Sequence, residues 1–243
     1  MSAGVSLVLD GVLRPVIGLR QGGMRGRALR LTLRESGVGG VQVDPASLNT
    51  VDAERLDLAI AEHAFGALPP SGDRLDGQPP PLLFLPVTWS TARSPSSRRR
   101  LLRRVAEGQL ERGVACVCEV VGLDEGAPGA TIREAAGGLT PIFRGVLARI
   151  EPSAALVACL ADCGLSGVAV EAGRLDLGAD PEAPARRVLS LQTIGPGVMA
   201  HGVRSVAALS AMRTAGASWA SLDIQPGARE TQALLESASA PTP

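Results

Sequence analysis

Apolar runs of strand length alternate along the chain with stretches in which apolar residues recur every three or four positions. The strand-length runs are Val5–Leu9, Met24–Leu33, Leu82–Val87, Val114–Val121, Gly145–Ile150, Gly167–Glu171, Gly197–Ala200 and Trp219–Asp223. Helical periodicity marks Asp52–Ala67, Ser97–Arg112, Thr131–Ala136, Ser153–Cys163, Pro181–Thr193, Ser205–Thr214 and Ala228–Ser237. Strands and helices taken in turn, with short links, predict a parallel sheet with crossover helices. Eight strands in 243 residues suit a closed barrel better than a small open sheet.

Local chemistry sets several boundaries. Asp52 is placed to cap the helix that follows it, and Ser153, after Pro152, to start another. Gly164 and Gly216 stand where a left-handed residue ends a helix. The Pro- and Gly-rich stretch Pro69–Pro81 reads as a surface loop. No repeat and no linker divides the chain, so one domain is expected over residues 1–237, with 238–243 as a flexible tail.

Composition narrows the chemistry. With 24 basic and 24 acidic residues the chain carries no net charge, which argues against a nucleic-acid binder. There is no Lys, so every basic residue is Arg, and Schiff-base and P-loop chemistry are excluded. The absence of Tyr and an aromatic content of 2% leave little to stack bases on. Only His63 and His201 can act as histidine bases or ligands. Asp10 and Arg14 interrupt the first apolar stretch, no window spans a membrane, and a cytoplasmic location is expected. Cys116, Cys118, Cys159 and Cys163 lie inside apolar runs, as buried reduced thiols do, and Cys116-x-Cys118 is a poor zinc knuckle. The arginine run Ser97–Arg104 reads as a solvated helix face, His63 as a helix-surface or core histidine, and Trp89 and Trp219 as packing residues. No G-x-S-x-G turn is present, and no motif links His201 to a serine.

Three segments in order carry a family resemblance: LRPVIGLRQGGMRGRALRLTLR (Leu13–Arg34), ACVCEVV (Ala115–Val121) and MAHGVRSVAALSAMRTAGASWAS (Met199–Ser221). They are similar to the opening, the central acidic strand and the late "AEGVET" segment of EAL-type domains, the phosphodiesterases of cyclic di-GMP. Leu82–Thr88 and Gly167–Leu175 fall at two further motif positions. The resemblance implies a TIM-like (β/α)8 barrel with one antiparallel strand near its start.

It also implies lost chemistry. Two-metal hydrolysis needs oxygen ligands around two divalent cations. At the matching positions Arg27 replaces the name-giving Glu, Pro86 an Asn, Gly122 a second Glu, and Arg149 and Ile150 the paired aspartates. Ala169 replaces a Lys, Glu171 stands for an Asp, His201 replaces a late Glu, and Ser221 and Leu222 the final Gln-Gly. Glu119 alone survives of the metal ligands. The expectation is a degenerate, non-catalytic barrel with no cofactor and no metal. Arg27, Glu119, Arg149 and His201 converge at its mouth, with Glu119 paired to Arg27 or Arg149. Such a protein would work as a regulatory or scaffolding pseudo-enzyme through an unidentified protein partner, or as a homodimer. The alternative is a receptor for an anionic small molecule, cyclic di-GMP or another, held by the arginines; a residual metal-dependent phosphodiesterase is the remote alternative.

Overall fold

In the computed structural model, which describes residues 7–36, 41–69, 79–123, 126–175 and 182–223, eight strands pair in sequence order and close into a barrel. Strand β1 (Leu7–Gly18) runs antiparallel to both its neighbours, β2 (Met24–Glu35) and β8 (Trp219–Leu222). Between them β3 (Leu82–Thr88), β4 (Ala115–Val121), β5 (Val146–Arg149), β6 (Gly167–Glu171) and β7 (Gly197–Val203) complete a parallel run. The helices are α1 (Thr50–Gly66), α2 (Trp89–Arg93), α3 (Pro95–Arg112), α4 (Gly129–Leu139), α5 (Ala154–Leu160), α6 (Ala183–Leu191) and α7 (Val206–Thr214). The barrel with one antiparallel strand is the expected architecture. The helix expected at Ala228–Ser237, the tail 238–243 and most of the Pro69–Pro81 loop lie outside the described residues.

Caps explain where the helices begin. The start of α1 differs from expectation: Asn49, not Asp52, is its N-cap, its side chain accepting from the N–H groups of Val51 and Asp52. Asp52 instead sits in the first turn, where a carboxylate favours the positive end of the helix. Ser153 caps α5 as expected, accepting from Leu156 N–H. Gly216, at φ 85°, follows the C-cap of α7. Gly164 is left-handed too, at φ 74°, but lies beyond the end of α5 at Leu160. The short α2 has no sequence period of its own; Thr88 caps it at the end of β3.

Successive strand residues face opposite sides of a sheet, and this alternation builds two cores. Leu83 and Leu85 of β3, Cys116 and Cys118 of β4 and Val168 and Val170 of β6 point outward, into the apolar layer beneath the helices. Val16, Ala28, Phe84, Val117, Leu147, Ala169 and Met199 point inward and seal the middle of the barrel. Burial pushes the Cys116 thiol up to about 12 and the Cys118 thiol well above its ordinary value, so both stay protonated and apolar. Cys163 donates to the Cys159 carbonyl at 3.3 Å, and none of the four cysteines forms a disulfide.

The arginine run folds onto the protein's own carboxylates. Arg100 pairs with Glu54 of α1, Arg98 lies 3.6 Å from Glu134, and Arg104 sits 6.0 Å from the Phe65 ring centre and 3.9 Å from Glu62. His63, exposed on α1, lies 3.0 Å from the Gly11 carbonyl.

Asp57 of α1 is the buried carboxylate of the outer layer, 1% exposed. The Thr88 N–H donates to it at 3.1 Å and the Thr88 hydroxyl at 2.6 Å, tying α1 to the end of β3. Burial raises its carboxyl from 3.8 to about 6, against the hydrogen bonds from Thr88 and Thr91. The native state thus holds a proton that the unfolded chain releases earlier. Asp57's contribution to stability is full below pH 3.8 and is lost as pH rises through about 6. Asp57→Asn, compared with wild type by urea denaturation, is expected to gain relative stability between pH 4 and 7, by about 3 kcal/mol over that window. A difference that does not change with pH would contradict this.

Candidate functional site

Two residues beyond the sealed middle layer, the inward positions at the C-terminal end of the parallel strands turn polar: Arg30, Glu119, Arg149, Glu171, His201 and Ser221. Arg14 of the antiparallel β1 joins them at the same end. The strand alternation that sends Cys116 and Cys118 outward aims Glu119 inward.

Glu119 and His201 meet across the barrel. His201 Nε2 lies 2.9 and 3.0 Å from the two carboxylate oxygens, and its Nδ1 lies 2.9 Å from Ser221 Oγ. Their exposures of 1% and 0% take both partners out of water. The carboxylate thus faces one ring nitrogen and the Ser221 hydroxyl the other, so both edges of the imidazole are engaged. Ser221 Oγ in turn accepts from Gly202 N–H at 3.4 Å. Burial alone would raise the Glu119 carboxyl, but the His201 contact and the fields of Arg149 and Arg30 outweigh it and hold it below the usual carboxylate range.

Glu171 is neutralised separately. Arg30 forks onto its two oxygens at 2.6 and 3.2 Å, and Arg149 Nη2 reaches Oε1 at 2.8 Å. Burial would raise this carboxyl; the hydrogen bonds and charges of the two arginines bring it down to about 2. At the rim Asp223 accepts from Arg204 at 2.8 Å and pairs with Arg14 at 3.1 Å.

Of the positions singled out from sequence, Glu119, Arg149 and His201 come together, and Arg27 does not. Its strand register pairs Arg27 with Leu83, an outward residue, so it lies on the outer face of β2 with Leu29 and Leu33. Arg30 is the arginine that β2 supplies to the mouth. The alternation of Leu29, Leu31 and Leu33 against Arg30, Thr32 and Arg34 carries that signal. The partner of Glu119 is also different from the expected arginine: Arg149 is engaged by Glu171, and histidine takes its place. The contact between His201 and Ser221 had no motif to announce it, because the two residues lie on neighbouring strands.

A serine, a histidine and a carboxylate in hydrogen-bonded series can activate a nucleophile. Here Ser221 is 1% exposed, and it does not line the mouth cavity of about 400 Å³, which His201, Arg30, Glu171, Arg204 and Asp223 do line. The hydroxyl completes a buried network set back from the cavity lining. Nor does the donor set fit a pair of divalent cations. Glu119 and Glu171, the inward carboxylates of the described parallel strands, are each held by partners of the same chain, which a cation would have to displace. Among the described residues no group of three His, Cys, Asp or Glu side chains is arranged to hold a metal ion, and no helix is long and apolar enough to cross a membrane.

No protein-family model matches the sequence, and no curated protein sequence does. The fold does have counterparts among solved structures. The EAL domain protein of Listeria monocytogenes superposes with a TM-score of 0.59 at 13% identity, covering 88% of this chain and 85% of that one. The FimX EAL domain of Pseudomonas aeruginosa, bound to c-di-GMP, gives 0.57 at 16% identity and 90% of each chain. The EAL domain of Mycobacterium smegmatis DcpA gives 0.54 at 18% identity, covering 97% of this chain and 100% of that one. The barrel described above therefore has the EAL-type fold.

Proposed function

We propose that this chain is a non-catalytic EAL-type barrel that serves as a regulatory or scaffolding protein through contacts with another protein. One observation carries the reading: the carboxylates at the mouth are each engaged by fixed partners of the same chain, Glu119 by His201, Glu171 by Arg30 and Arg149, and Asp223 by Arg14 and Arg204. A metal-dependent hydrolase keeps such carboxylates free for its cations. Support for a role at the surface comes from the β1–β2 ribbon. It rises past β8, which it meets only at Val16–Gly18, and leaves Val8 at 52% and Val12 at 45% exposure.

A second reading, a receptor for an anionic small molecule, draws on the mouth cavity, where Arg30 and Arg204 present guanidinium groups. In that reading the ligand exchanges partners with Glu171 and Asp223, which weakens affinity by the cost of breaking those pairs.

Purified protein supplied with Mg²⁺ or Mn²⁺ is expected to leave cyclic di-GMP intact, as read by chromatography of the linear product. Turnover that depends on the metal and disappears in Glu119→Ala would refute the proposal. Arg30→Glu is expected to restore no activity, since one further carboxylate does not assemble two cation sites. Saturable heat on titration with cyclic di-GMP, abolished by Arg30→Ala, would favour the receptor.

A further inference from the structure

We propose that the end of the barrel opposite the mouth is a binding site for a small molecule that joins a flat apolar body to a phosphate or carboxylate group. A cavity of about 990 Å³ opens there, at the N-terminal end of the parallel strands, within the size range of small-molecule pockets. It shares no lining residue with the mouth, from which the sealed layer around Val16, Phe84 and Met199 separates it. The inference is independent of how the mouth is read.

Three features set the ligand chemistry. Arg20 and Arg25, from the β1–β2 turn and the start of β2, and Arg144, before β5, line the cavity, and among the described residues no Asp or Glu does. Among the described residues no carboxylate pairs with any of the three, whereas Arg14, Arg30, Arg100, Arg149 and Arg204 elsewhere all have acidic partners. Unpaired guanidinium groups around one concavity favour an anion and can fork onto phosphate or carboxylate oxygens.

The second feature is the aromatic wall. Trp219 packs edge-on against Phe84, ring centres 5.7 Å apart, and its partly exposed side chain lines the cavity. Gly197 makes this placement feasible, since a Cβ there would stand 2.9 Å from the indole ring. The third is the apolar side formed by Met24, 58% exposed, and Leu82. A planar body laid on Trp219 with its anion turned to the arginines meets all three.

Titration calorimetry with GMP tests the site, with guanosine and inorganic phosphate as partial probes. One-to-one saturable binding of GMP is expected, weakened about tenfold or more by Arg144→Glu, an exposed position whose change leaves the core intact. Arg30→Ala, at the mouth, is expected to change it less than twofold. Guanosine and phosphate should each bind far more weakly than GMP, because each engages one half of the site. No saturable heat with GMP overturns the proposal. So does binding lost in Arg30→Ala and kept in Arg144→Glu, which places the ligand at the mouth. Phosphate binding as tightly as GMP overturns the role of Trp219. A failure here leaves the hydrolysis assay of the mouth unaffected, and the reverse also holds.

Discussion

His201→Ala is expected to cost about 3–5 kcal/mol of folding stability, the range for breaking a buried ion or hydrogen-bonded pair and leaving one charge behind. The reason lies in the exposure of Glu119, 1%, and in its two contacts to His201 Nε2 at 2.9 and 3.0 Å. Without the imidazole, the carboxylate loses its hydrogen-bond donor and keeps only the more distant fields of Arg149 and Arg30. It must then take up a proton or draw water into the barrel. Replacing both partners with apolar residues, as Glu119→Met with His201→Leu, is expected to recover most of the loss, because no charge remains to be desolvated. Urea denaturation of the two single variants and the double variant measures the coupling. A single-variant loss below about 1 kcal/mol would mean that Glu119 already reaches water, contrary to the packing described.

Gly167→Ala is expected to prevent barrel closure, with a stability loss of at least about 4 kcal/mol or no soluble fold. Gly167 adopts φ 152° and pairs in register with Gly197; a Cβ built there falls 1.8 Å from the Gly197 carbonyl oxygen. The obstacle is backbone, so no side-chain rotation relieves it. The neighbouring strands would have to separate along a ladder that also positions Glu171 and His201. Gly66→Ala is the control, since a Cβ at Gly66 meets nothing within 4 Å. Thermal melting of the two variants separates the effects; equal stability would contradict the close strand approach.

The barrel was legible because its signals are local and repeated. Each parallel strand is a short apolar run between polar caps, and buried parallel strands require that pattern. The sequence also placed Glu119, whose polar side chain interrupts such a run between Cys118 and Val120. What it left open was parity. In β2, either face of Arg27–Leu33 carries residues that could lie inside, and a one-residue choice moves every side chain to the other face. Matching Arg27 to the name-giving Glu of the resembled family puts it at the mouth, where the register of β2 sets Arg30 instead. Pairings across the barrel were hidden for a different reason. His201 and Glu119 lie 82 residues apart, and no spacing rule reaches over that distance. Charge types alone favoured an arginine partner; the geometry of Glu171, which takes up both Arg30 and Arg149, left the histidine to Glu119.

The neutralised mouth makes a direct prediction about metal. In a Mn²⁺ titration followed by electron paramagnetic resonance of the free ion, the protein is expected to bind no Mn²⁺ at the mouth, and wild type and Glu119→Ala are expected to give the same curve. Glu119 is held by His201 and Glu171 by two arginines, so a cation would have to displace every one of these partners. Stoichiometric Mn²⁺ uptake by wild type that is lost in Glu119→Ala would contradict the account.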